Sequence, residues 1–161
     1  MKKYLTYAAL TVLVFMGCAS TPPELAPSED LFIQEISEIP GFSKEALFNG
    51  ARLWVANSFS SDLDVIQYAN RDQGVIVGKT SIPHERPSRF GGPDRFELRF
   101  TVVAETKDDR IRTTFKDLRL MGGFGFDPLL KSDMEVIRPK LEDSVRALAA
   151  SFEKKSEIEQ W

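Results

Sequence analysis

The sequence predicts an α+β domain in which an antiparallel sheet of about five strands carries two helices on one face. Three observations predict it. Residues 96–104 alternate, with Phe96, Leu98, Phe100, Val102 and Ala104 set against Glu97, Arg99, Thr101 and Val103. A period of two marks a strand with one face in a core and the other in water. Two other stretches repeat at three and four residues, which builds helices with wide apolar stripes. The first runs through Leu47, Ala51, Trp54 and Ser58, with Phe48, Val55 and Phe59 beside it. The second runs through Met134, Ile137, Leu141, Val145, Leu148 and Phe152. Two such helices cover one face of an antiparallel sheet and leave the other wet.

Ahead of the domain, residues 1–17 read as an export signal. Lys2 and Lys3 make a positive start, and residues 4–16 are apolar apart from Thr6 and Thr11. As a helix this run reaches roughly 20 Å, short of the ~30 Å hydrocarbon core of a bilayer. It has the layout of a secretory h-region instead. Gly17, Cys18, Ala19 and Ser20 follow at once, and Cys18 is the chain's only cysteine. These residues resemble a bacterial lipoprotein signal, a small residue followed by an invariant Cys. The resemblance implies a diacylglycerol on the Cys18 thiol, cleavage before it, and acylation of the new amine, palmitate being the expected chain. Attachment by two or more chains is long-lived, since each buried CH₂ adds ~0.8 kcal/mol. Ala19 stands where an Asp would be associated with retention at the inner membrane, so the outer membrane, on its periplasmic side, is favoured.

Residues 18–30 hold Pro22, Pro23 and Pro27 among Ser, Thr and Glu and read as an extended tether. The domain is expected over residues 31–155, with a short tail at 156–161. Loss of Lys2 and Lys3 leaves 19 basic residues against 24 acidic ones, a net charge of −5. An exported acidic chain argues against nucleic acid, whose phosphates require a basic footprint. With no second cysteine to form a disulfide, stability falls to a core rich in the chain's 12 Phe.

Within the domain, residues 31–39 have strand composition and stop at Pro40-Gly41. Ser43 caps a helix from Lys44, with Glu45 in the first turn, where the helix dipole favours an anion. Ser60-Ser61-Asp62 ends it. Residues 65–69 and 74–80 read as two strands around a turn at 70–73. Residues 84–93, with two prolines and two glycines, read as a surface loop. After the best strand a turn at 107–110 reverses the chain, and Ile111, Thr113 and Phe115 resume the inner face. Pairing Thr106 with Ile111 sets Glu105 opposite Arg112, a favourable cross-strand pair. The phase then slips, and a β-bulge near Lys116-Asp117 is needed to return Leu118 and Leu120 to the core. Residues 121–127 read as a glycine-rich loop. Ser132 and Glu135 have capping-box spacing, and Pro139 demands either a kink or a helix start.

The run Pro40-Gly41-Phe42-Ser43-Lys44-Glu45-Ala46-Leu47, then Ala51-Arg52-Leu53-Trp54-Val55-Ala56, Val65-Ile66-Gln67-Tyr68 and Gly74-Val75-Ile76-Val77-Gly78-Lys79, resembles an uncharacterised bacterial family. That family is the domain of unknown function with a TATA-binding-protein-like fold, found in exported and lipid-anchored proteins. The resemblance implies a curved antiparallel sheet of order β-α-β-β-β-β-α with both helices on the convex side. It brings no activity and no catalytic residues, and a fold name does not import DNA binding.

For chemistry of its own the sequence offers little. It has no phosphate loop, no metal-ligand spacing and no nucleophile turn, so no cofactor and no metal are expected. His84, the only histidine, reads as a surface-loop residue. Asp108-Asp109 reads as turn chemistry. Phe124 and Phe126, among glycines, either close the end of the core or present aromatics to a partner or a lipid surface, and Phe90 beside Gly91-Gly92 invites the same reading. Arg95, Arg99, Arg112 and Lys116 are expected on the wet sheet face, either solvated or meeting an acidic partner. The expected function is a lipid-anchored envelope module, non-catalytic, binding protein, peptide or glycan. The alternatives are a small envelope enzyme using acidic residues, and a lipid-binding carrier.

Overall fold

The structure, a computed structural model, describes residues 22–59, 65–88 and 91–158. Its order is a short 3-10 helix (Ser28–Leu31), β1 (Ile33–Glu38), α1 (Lys44–Ser58), β2 (Ile66–Asn70), β3 (Val75–Pro87), β4 (Pro93–Lys107), β5 (Arg110–Gly122), β6 (Gly125–Asp127) and α2 (Lys131–Ile158). The sheet is antiparallel in the order β1-β5-β4-β3-β2, and β6 adds to β5 beyond the end of β1. This is the predicted α+β layering with one strand more than the expected five.

The alternation of β4 fixes which face is inside. Leu98, Phe100, Val102 and Ala104 are buried, as are Ile76 of β3, Ile111 and Phe115 of β5 and Ile33 of β1. Leu47, Phe48, Ala51 and Val55 of α1 and the predicted stripe of α2 close over them. A chain of edge-to-face rings, Trp54–Phe59–Phe100–Phe115, has centroids 5.3, 5.5 and 5.6 Å apart and fills the space between helices and sheet.

The predicted bulge is present. Thr101 pairs with Lys116 and Arg99 with Arg119, so Asp117 and Leu118 together stand opposite Phe100. Asp117 takes φ 56°, a left-handed conformation that Asp tolerates better than most residues. Leu118 and Leu120 are thereby turned inward and buried. Thr106 does pair with Ile111 and Glu105 with Arg112.

Other expectations are corrected. Residues 84–87 and Pro93 are strand, not loop: β3 and β4 stay in register from Val75↔Glu105 to Pro87↔Pro93, and Ser88 N–H donates to Gly92 O at 3.3 Å. The prolines are tolerated because, among the described residues, nothing pairs with the outer side of β3 beyond the Lys79 N–H bond to Val65 O. Residues 121–127 form the β5–β6 hairpin, since β5 outruns β1 and has a spare edge to pair. The second helix starts at Lys131, before Ser132, and Asp133 rather than Glu135 reaches back to the Leu130 N–H (2.7 Å). That helix neither starts nor ends at Pro139; exposed Glu135, whose carbonyl loses a bond there, faces water. It continues to Ile158, past the start of the expected tail.

Part of the stretch read as tether is docked. Leu25 bridges to Leu130, Ala26 N–H donates to Leu129 O (2.9 Å) and Lys131 N–H to Glu24 O (2.9 Å). Arg138 holds Asp30 at 3.1 Å, and Ala26 and Leu31 pack on the core. Ala26, and Leu31 just after the stretch, give the chain here something to bury, which the prolines obscure in the sequence.

At the other end of the sheet the β4–β5 turn holds the start of α1. Asp109 Oδ1 accepts from Gly41 N–H and Asp108 Oδ1 from Lys44 N–H, both at 2.7 Å, while Ser43 Oγ accepts from Ala46 N–H (3.3 Å). Gly74 sits beside this turn at φ 71°, its carbonyl accepting from Thr106 N–H (2.7 Å). A Cβ there meets Thr106 O at 2.6 Å. Gly74→Ala is therefore expected to cost roughly 2–3 kcal/mol through the left-handed φ and the backbone clash together. The check is the urea midpoint at constant m value; an unchanged midpoint would show that the turn relaxes freely.

Candidate functional site

Strand alternation places Arg95, Arg99, Arg112 and Lys116 on the sheet face opposite the helices, as expected. Ile36 and Tyr68 lie on the same face, both exposed, with Val77, Val103, Thr101 and Thr114 between them. No described helix covers this face.

Its cations are largely spoken for. Arg112 grips Glu105 with two bonds of 2.7 Å, and the Arg112 hydrogen bonds hold the Glu105 carboxyl below its usual pKa despite some desolvation. Arg99 reaches Glu97 at 2.9 and 3.0 Å. Ser81 Oγ also donates to Glu97 at 2.6 Å, and this bond, with Arg99, draws the Glu97 pKa down. Arg95 lies 3.7 Å from Glu85 across the strands. Lys116 alone of the four has no carboxylate partner among the described residues. Carboxylates take up three of these four cations, and apolar side chains stand among them.

Phe124 and Phe126 do not close the core. Phe124 occupies the tip of the β5–β6 turn, and Phe126, paired with Met121, lies beside Arg119, whose guanidinium carbon is 5.5 Å from the ring centroid. Cys18 and Phe90 lie outside the described residues.

Sequence reasoning misses one constellation altogether. His84 is not on a surface loop; it points inward from β3, 3 % exposed, with its Nε2–H donating to Asp133 Oδ1 at 2.9 Å. Arg86 Nε donates to the same oxygen (2.8 Å) and its terminal nitrogen to Oδ2 (2.5 Å) and to Pro128 O (2.7 Å). With the Leu130 N–H on Oδ2, four donors converge on one carboxylate. The available sign was the period of two, which carries on from Ile76, Gly78, Thr80 and Ile82 to His84 and Arg86. Burial alone pushes the Asp133 pKa up. The Arg86 bonds, the Leu130 N–H and His84 outweigh it and hold the carboxyl below its usual range. A His–Asp pair suggests half of a hydrolytic triad, yet every acceptor site on Asp133 serves the fold and the imidazole is closed off from solvent.

The scaffold and its open face define a class: a TATA-binding-protein-like α+β module, two helices on one side of an antiparallel sheet. Residues 34–120 match the domain of unknown function DUF4468 with TBP-like fold, and the chain belongs to that family. A DUF4468 family protein from Bacteroides ovatus superposes with TM-score 0.55 at 11 % identity, over 83 % of this chain and 88 % of that one. A TBP-like protein from Parabacteroides distasonis gives TM-score 0.54 at 12 % identity, over 73 % and 91 %. No functionally curated protein matches the sequence.

Asp133→Asn removes a charge on which two side chains depend. A loss of roughly 2–4 kcal/mol is expected at pH 7, because half-buried Arg86 and buried His84 keep their positions with their partner weakened. A depressed carboxylate stabilises fully above the unfolded pKa of ~3.9 and loses that contribution as pH falls toward its lower folded value. The gap between wild type and variant in urea midpoint should therefore narrow from pH 7 to pH 2.5. A gap of the same width at both would mean that folding does not lower the Asp133 pKa.

Proposed function

We propose that this protein is a lipid-anchored module of the cell envelope that binds or adapts and does not catalyse, its attachment point Cys18 and its recognition surface the open sheet face. The single observation that carries the recognition half is that face: a broad, uncovered platform on which Ile36 and Tyr68 stand exposed among laterally paired charges. Paired charges cost little to bring against a partner, since much of their hydration is already exchanged, while the apolar inserts supply affinity. A protein, peptide or glycan suits such a surface; nucleic acid does not.

The anchor half rests on residues 1–20, with a positive start, a short apolar run and Gly17-Cys18-Ala19-Ser20. Palmitate on the new amine and residence on the periplasmic side of the outer membrane belong to the same reading. Against the enzyme alternative stands the engagement of His84 and Asp133 with Arg86 and the backbone, since a catalytic site needs convergent titratable groups open to substrate. Against the carrier alternative stands the close edge-to-face packing of the rings from Trp54 to Phe115 beneath α1.

Two measurements test the proposal. The mature chain purified from membranes should begin at Cys18 and carry acyl mass, and Cys18→Ser should release it to the soluble fraction; an unacylated chain that keeps Met1 overturns the anchor. Photoreactive side chains placed at Ile36 and Tyr68 in intact cells should give a discrete adduct, with none from Leu53, which is equally exposed but on α1. Adducts that are absent, or the same from all three positions, overturn the recognition surface.

A further inference from the structure

Three exposed apolar side chains gather at the end of the molecule where the described chain enters it. Phe124, at the hairpin tip, is 111 % exposed, and Phe126 and Leu25 are 64 % and 61 % exposed. Phe126 and Leu25 line one shallow groove with Leu118, Pro128 and Leu129. The tip is held out by structure. Gly122↔Gly125, Met121↔Phe126 and Leu120↔Asp127 pair across the hairpin, and Gly125 takes φ 122°, which suits glycine. A Cβ on Gly123 meets nothing within 4 Å, so the turn stands clear of the rest of the protein.

The entering chain is pinned beside this hairpin by the Leu25–Leu130 bridge and the Lys131 N–H bond to Glu24 O. Cys18 lies six residues before Glu24, and six residues span at most about 20 Å. The far end of the sheet, where Asp72, Asp108 and Asp109 occupy the turns, is a strand's length away: thirteen residues of β3 at ~3.3 Å each make about 40 Å. An anchor at Cys18 thus keeps the phenylalanine end near the lipid and sends the acidic turns away from it.

We propose that the β5–β6 tip is a membrane-contact element: Phe124 enters the boundary between headgroups and acyl chains, with Phe126 and Leu25 behind it. The inference rests on the lipid-anchor reading above and deepens it. Apolar side chains on a polar scaffold bind this boundary, and a second contact beside an acyl anchor fixes the orientation of what is anchored. A bilayer is favoured over a protein partner because chain length alone delivers this end to the lipid.

The test uses the full acylated chain reconstituted in vesicles of phosphatidylethanolamine and phosphatidylglycerol. Acylation blocks the native thiol, so Gly123→Cys supplies one site for a nitroxide beside an intact Phe124, and Asp72→Cys supplies the distant control. The label at position 123 should be at least about threefold less accessible to a water-soluble nickel chelate than the label at 72, and more accessible to oxygen. Adding Phe124→Ser should abolish that difference. Equal accessibility at 123 and 72, on chains whose mass shows the acyl groups, overturns the tip and leaves the anchor standing. Chains without acyl mass overturn the anchor, and the tip proposal with it. Shielding that grows with the protein-to-lipid ratio assigns the tip to a second copy and overturns membrane contact.

Discussion

One buried carboxylate holds together parts of the chain that have no other reason to meet. Asp133 accepts from His84 and Arg86 on β3, from the N–H of Leu130, and sits in the first turn of α2. It therefore ties the far half of the β3–β4 hairpin to the helix layer. It also fixes residues 128–131, on which the entering chain docks and into which β6 leads. An ionised group inside a protein is tolerable only when its hydrogen-bonding capacity is filled. Here the four donors fill it.

The opposite end is organised by a different device. The Asp108-Asp109 turn offers two side-chain oxygens to the backbone N–H groups of Gly41 and Lys44, and Ile39 N–H and Phe42 O bond to the Asp109 backbone. A helix begins with unsatisfied donors, and the hairpin supplies acceptors for them from another part of the sheet. Sheet and helix layer are thus stapled at both ends by aspartates, with the aromatic chain between.

Much of this layering is legible in the sequence, because burial imposes a period and a period is visible. The inner residues of β4, the stripes of both helices and even the bulge follow from the rule that Leu118 and Leu120 must leave water. What stays hidden depends on partners distant in the chain. His84 sits between prolines that look like punctuation, and the carboxylate that makes its burial acceptable lies 49 residues on. β6 is three residues with no pattern of their own, recruited by the unused edge of β5. The wet-face arginines are legible by position but not by state, since alternation says which way a side chain points and nothing of which carboxylate it meets beyond the direct cross-strand pair. The exposure of Phe124 and Phe126 is equally opaque, because aromatics among glycines suit a core and a surface alike.

The length of β3 has one more outcome. Beyond Lys79 no described strand pairs with its outer margin, and an open margin of that length invites another chain to zip onto it. Pro83 and Pro87 interrupt the run of backbone donors there, and exposed Glu85 adds charge. The sheet therefore stops growing where it does. Two copies brought edge to edge along this margin would meet a ladder broken at Pro83 and Pro87.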